Sequence, residues 1–286
     1  MRIALASAAL MLLATSLPAT AQTTEHRDVV YAEVDGKALG LDLYVPGANA
    51  PLVVHVHGGA WRAGTKADGV PTFLLDAGYA VASLDFRQST DAPFPANVHD
   101  IKAGIRFLRA NAAEYGYNAD RILITGASSG AHLAVLVGVT NGHAELEGAV
   151  GTHPEASSEV QAVLSYFAAT DLTTILSLST PFGVGVREPS LKLLLGDLPD
   201  QVPELAQLAS PVYHVDANDP PLLLLHGDRD PQMPVNQSLQ MLGAYEDKGL
   251  DVAFIPVHGA AHGGPLFNEP KYTAPALAFV ERTLGK

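Results

Sequence analysis

Short, almost unbroken apolar runs recur along this chain at residues 52–56, 79–84, 121–125, 162–167, 222–225 and 252–257. Runs of that length without polar alternation fit strands buried on both faces, as in a parallel sheet. Between them lie stretches with helical spacing, at residues 68–76, 97–115, 129–139, 235–248 and 273–284. The start of the chain differs. Residues 29–34 and 39–45 are β-rich and flank Asp35-Gly36, a pair that favours a tight hairpin turn. Alternating strand and helix with right-handed crossovers predicts an α/β fold. It has a mostly parallel central sheet, an N-terminal antiparallel hairpin and helices on both faces, with ligands at the carboxyl ends of the strands. Residues 171–208 break the alternation, being rich in Pro and Gly with a Leu-rich piece at 191–195. They predict a small helical insertion, either a lid over the site or a plain surface excursion.

Residues 1–21 read as a secretory leader. Met1-Arg2 is a short positive start, residues 3–17 are apolar, and Ala19-Thr20-Ala21 is an A-x-A cleavage site. The mature chain is therefore expected to begin at Gln22, with residues 22–286 as one domain and a secreted or periplasmic location. A membrane anchor is the alternative, but the apolar stretch is short, ends at Pro18 and is followed by no stop-transfer pattern. No membrane contact is expected of the mature form. The chain has no cysteine, so disulfides play no part, and a core of this size can do without them. With 17 basic against 30 acidic residues the net charge is −13, and no basic run offers a groove for phosphates, which argues against a nucleic-acid partner.

Chemistry concentrates at the ends of the apolar runs. Gly126-Ala127-Ser128-Ser129-Gly130 follows one strand and precedes a helix, the setting in which a Gly-x-Ser-x-Gly segment forms a nucleophile elbow. Ser128 holds the central position. Composition alone leaves Ser129 as the alternative nucleophile, and a helix-capping serine as a structural role. His57-Gly58-Gly59-Ala60-Trp61 ends another strand, and its glycines suit backbone N–H groups that approach a developing oxyanion; Gly58, Gly59 and Ser129 are the expected donors. His226-Gly227-Asp228-Arg229-Asp230 and His258-Gly259-Ala260-Ala261-His262 follow two later strands. The order Ser, Asp, His is the one used by this kind of fold. A serine hydroxyl needs a base to take its proton, and the imidazole needs a carboxylate to hold its tautomer. Asp230 and His262 are favoured because they lie farther into their loops; Asp228 and His258 are the alternatives. A rival reading takes His55 and His57, two apart on a strand, as metal ligands with His226 and Asp228 or Asp230. It leaves the glycine-rich turns unexplained.

Together with Phe86-Arg87-Gln88-Ser89, Ser210-Pro211-Val212-Tyr213-His214 and residues 220–234, these motifs resemble the bacterial esterases related to hormone-sensitive lipase. That group includes feruloyl-esterase-like proteins. The resemblance runs over about residues 30–285. It implies an α/β-hydrolase fold and serine carboxylesterase activity on short-chain, aryl or sugar esters. It also implies no metal or organic cofactor, and a Ser128–Asp230–His262 triad. A serine amidase or peptidase, or a non-catalytic hydrolase-like binding protein, are the other readings. The elbow departs from the family's usual Ser-Ala-Gly-Gly at Ser128-Ser129-Gly130-Ala131, and Met233-Pro234 stands where Val-Pro is usual. Trp61 and Phe182 are the residues expected to wall a narrow substrate pocket.

Overall fold

The computed structural model describes residues 23–285; the leader expected over residues 1–21 lies outside them. Among the described residues, eight strands form one sheet: β1 (Thr24–Val34), β2 (Lys37–Val45), β3 (Pro51–Val56), β4 (Ala80–Leu84), β5 (Asn118–Ala127), β6 (Ala162–Tyr166), β7 (Leu222–Gly227) and β8 (Val252–Val257). Their order is β1-β2-β4-β3-β5-β6-β7-β8. β2 runs against both its neighbours, and the other pairings are parallel. The expected hairpin turn is present: Asp35 and Gly36 both have left-handed φ, 53° and 78°, which matches the twist of the strands they join.

Helices cover the sheet: α1 (Thr72–Asp76), α2 (Ala96–Ala110), α3 (Ala112–Tyr115), α4 (Ser129–Gly138), α5 (Ala144–Glu147), α6 (Ile175–Leu178), α7 (Pro181–Leu195), α8 (Pro203–Leu208), α9 (Asn236–Asp247) and α10 (Pro270–Leu284). Successive strand side chains point to opposite faces. Leu52, Val54, Val56, Ile122 and Ile124 therefore join one core, while Val53, Leu123, Leu223 and Leu225 join the other. Every residue of α4 is buried, because the helix is wedged between the sheet and its neighbours. The helical insertion between β6 and β7 consists of α6, α7 and α8. No described helix is long and apolar enough to cross a membrane.

β3 is flanked by β4 on one side and β5 on the other. The chain therefore leaves β3 and β5 in opposite directions, and a crevice opens above their carboxyl ends. Gly58 follows β3 and Ser128 follows β5, so both border that crevice.

Candidate active site

Ser128 links β5 to α4 with φ 56° and ψ −122°, a conformation that L-residues rarely adopt. The flanking glycines are required by close backbone approach. A Cβ on Gly126 would lie 2.5 Å from the Gly130 carbonyl carbon, and one on Gly130 would lie 2.2 Å from the Val56 oxygen. The Ser128 N–H donates to the Tyr166 carbonyl at 2.9 Å, which fixes the elbow to β6.

The structure brings Ser128, His262 and Asp230 together. The Ser128 hydroxyl lies 2.8 Å from His262 Nε2, and His262 Nδ1 lies 2.5 Å from Asp230 Oδ2. Asp230 is held independently of that contact, since its Oδ1 accepts the N–H groups of Gln232 at 2.8 Å and Met233 at 2.9 Å. Burial pushes the Asp230 carboxyl up, but hydrogen bonding from His226 and His262 outweighs it, holding the group well below the usual carboxylate range. With Asp230 ionised, Nδ1 of His262 is the donor and Nε2 is the acceptor that faces the serine proton. The ring packs on Phe167 at 4.7 Å between centroids. The two alternatives pair with each other instead: His258 Nδ1 meets Asp228 Oδ2 at 2.9 Å, on an exposed surface.

The loop after β3 is built for close approach. A Cβ on Gly58 would stand 2.9 Å from the Ala127 oxygen, and one on Gly59, whose φ is 123°, would stand 1.9 Å from the Ala63 oxygen. Among the described residues, the N–H groups of Gly58, Gly59 and Ser129 donate to no protein acceptor. They can therefore serve an oxygen brought by a substrate. Two residues of the Phe86-Arg87-Gln88-Ser89 segment brace the loop: Ser89 N–H donates to the Trp61 oxygen and the Gln88 amide to the Gly64 oxygen, each at 2.7 Å.

Neither expected pocket wall stands as expected. Trp61 is 1% exposed and belongs to the core, where its indole N–H donates to His132 Nδ1 at 2.9 Å. A buried indole must satisfy its N–H, and that bond turns the ring under the loop. Phe182 is 59% exposed, because α7 docks through its other face. A cleft of ≈ 590 Å³ does adjoin the site, between Ala127, Phe167 and Gly263, and its aromatic lining comes from Phe73, Tyr166, Phe167 and Phe267. His55 and His57 are spent on backbone, donating to the Asp68 and Gly58 carbonyls. Among the described residues no three His, Asp or Glu side chains are grouped as metal ligands.

One neighbour of the site carried no signal in the sequence. Arg187, on α7, is 1% exposed, with Nη2 3.5 Å from His262 Nε2 and Nε 3.5 Å from the Gln232 oxygen. α7 reaches this place by resting on the Asp230 loop. The Thr180 hydroxyl donates to the Pro231 oxygen at 2.6 Å, and a Cβ on Gly183 would meet the Gln232 oxygen at 2.9 Å.

Known proteins share this architecture. The BD-FAE family model matches residues 41–244. Esterase LipQ of Mycobacterium tuberculosis is 31% identical over 76% of this chain, which spans 51% of LipQ. The chain spans between about half and just under two thirds of the first curated relatives it matches. A truncated carbohydrate esterase from gut microbiota superposes with a TM-score of 0.83 at 32% identity, over 94% of this chain and 99% of that one. The propionate-bound thermophilic esterase Est2 of Thermogutta terrifontis superposes with a TM-score of 0.72 at 25% identity, over 94% and 97%. The fold is that of α/β-hydrolase esterases.

Proposed function

The chain belongs to the BD-FAE family, and on that premise we propose that it is a carboxylic ester hydrolase acting through a serine acyl-enzyme. The observation that carries this reading is the continuous Ser128–His262–Asp230 hydrogen-bond chain at 2.8 and 2.5 Å. In the proposed reaction His262 Nε2 takes the hydroxyl proton as Ser128 Oγ attacks the ester carbonyl carbon. The N–H groups of Gly58, Gly59 and Ser129 hold the resulting oxyanion. Collapse breaks the bond to the alcohol oxygen, which takes the proton from His262. Water, deprotonated by the same imidazole, then attacks the acyl-enzyme and releases the acid with Ser128 restored.

The relatives named esterase and carbohydrate esterase support small-molecule esters as substrates. Short acyl groups on sugar or aryl alcohols are our proposed class; the propionate held by Est2 speaks for a short acyl group. Export, expected from residues 1–21, belongs to the same proposal and would bring the enzyme to esters outside the cytoplasm.

The test is covalent labelling joined to a substrate series. A fluorophosphonate should modify one peptide, containing Ser128, and Ser128→Ala should lower turnover of aryl acetate by roughly 10³-fold or more. Among aryl esters below their micelle concentrations, acetate to butyrate should exceed decanoate in kcat/KM. Labelling elsewhere, or retained turnover in Ser128→Ala, would overturn the assignment; an anilide cleaved as fast as its ester would make the chain an amidase.

A further inference from the structure

Arg187 has no role in the reaction just derived, yet its guanidinium lies 3.5 Å from the catalytic imidazole. Its side chain is enclosed, and burying a guanidinium is costly unless its N–H groups are paired. Here two contacts at 3.5 Å, to His262 Nε2 and the Gln232 oxygen, are its only hydrogen bonds among the described residues. Among the described residues no carboxylate forms an ion pair with it. Asp230, the acid that acts on it electrostatically, is already engaged by His262 and two backbone N–H groups. The guanidinium edge therefore looks onto the reaction centre with most of its donors unspent.

The chemistry of the step says what should meet those donors. When His262 takes the serine proton it becomes a cation, and a second cation 3.5 Å from Nε2 opposes that change; Asp230 offsets it from the Nδ1 side, and an anion on the Nε2 side would offset it further. Nε2 later hands its proton to the leaving oxygen, so a group beside Nε2 neighbours the alcohol part of the ester rather than the acyl part. Resting on the esterase reading above, we propose that Arg187 is a specificity-determining residue that pairs with a carboxylate carried by the alcohol portion of the substrate. The preferred class is thus esters of anionic hydroxy compounds, such as an acylated hydroxy acid or acidic sugar. The anion would accept two guanidinium N–H groups and offset the imidazolium charge as it develops.

The placement is enforced by the fold. Arg187 projects from the face of α7 that also buries Gly183, Ser190, Leu191 and Leu194, and the first turn of the helix is fastened to the Asp230 loop through Thr180. The cation and the catalytic acid are thereby carried on one packed unit.

The experiment compares 3-acetoxybenzoate with its neutral isostere 3-acetoxybenzamide. For the wild type and for Arg187→Gln, the ratio of kcat/KM on the two esters is measured; dividing one ratio by the other cancels intrinsic leaving-group reactivity. The wild-type ratio should exceed that of Arg187→Gln by about tenfold or more, with Arg187→Lys between them. A readout independent of turnover is calorimetric binding of 3-hydroxybenzoate, which should be detectable with wild type and weakened about tenfold or more in Arg187→Gln. Ratios within about twofold of each other, with both esters cleaved by the wild type, would overturn the role of Arg187 while sparing the esterase reading. Conversely, hydrolysis of neither ester, together with carboxylate binding that Arg187→Gln abolishes, would overturn the esterase reading and support the anion site.

Discussion

At the residue scale, the two histidines of one loop make opposite predictions. His262 meets both Ser128 and Asp230, whereas His258 meets only Asp228 on the exposed rim. His262→Gln should lower kcat on an aryl acetate by roughly 10³-fold or more, and His258→Gln by less than about threefold. Equal losses in steady-state kinetics would leave the base unassigned. The preference for His262 was legible because a base must reach over the serine from a flexible glycine-rich loop, and position in that loop can be read from the chain. Arg187 was not legible. Nothing local distinguishes an arginine that points inward from one that points to solvent, and its place depends on α7 docking on a loop distant in sequence. Trp61 was misplaced for a related reason: the acceptor that draws its indole inward, His132, lies 71 residues away.

At the element scale, the strands that the sheet buries on both faces were readable as apolar runs, and β3 to β8 lie where those runs fall. β1 begins at Thr24, earlier than its apolar segment, because it is an edge strand whose first residues are held by pairing with β2, Thr24 opposite Val45. Polar residues on such a strand face solvent and leave no pattern. α7 was hidden for a different reason. Gly183, Gly185 and Pro189 obscure its period, although Gly183, Arg187, Ser190, Leu191 and Leu194 share one buried face. Glycines in this fold are not equivalent, and two substitutions should separate them. Gly130→Ala would press a methyl group against the Val56 and His57 oxygens, at 2.2 and 2.4 Å, and should cost about 3 kcal/mol or more along with most activity. Gly243→Ala, within α9 and with nothing in contact distance, should gain about 0.5–1 kcal/mol and raise Tm by ~2 °C. Thermal unfolding measures both; a destabilised Gly243→Ala would contradict the open space beside it.

At the scale of the whole molecule, buried histidines make stability depend on pH. Burial brings His55 and His132 down to about 4 from an ordinary 6.5. Within that burial His132 is held as a neutral ring, with Nδ1 accepting the Trp61 N–H at 2.9 Å and Nε2 donating to the Ala209 oxygen at 2.7 Å. Between those values the unfolded chain binds protons that the folded chain refuses. The stabilisation is therefore complete above pH 6.5 and is lost as pH falls towards 4, by up to roughly 3 kcal/mol per histidine. Asp230, held low, adds its own loss only below the ordinary carboxylate value of 3.8. His132→Gln can keep both hydrogen bonds without a titrating ring, so its Tm should fall less than that of the wild type between pH 7 and 4.5. Parallel slopes would show that His132 does not contribute.

The left-handed backbone of Ser128 sets what a laboratory seeking a sturdier protein would find first. A residue with φ 56° and ψ −122° stores about 1–3 kcal/mol that the surrounding strands and helix impose on it. Ser128→Ala and Ser128→Gly both remove the hydroxyl, but only glycine relaxes the backbone. Even after its greater freedom in the unfolded chain is subtracted, Ser128→Gly should unfold at a higher temperature than Ser128→Ala, by about 1 kcal/mol in stability. Equal melting points would mean the turn is unstrained. Otherwise, screening for heat resistance without a substrate present would select dead protein at this position, and ester turnover must be part of any such selection.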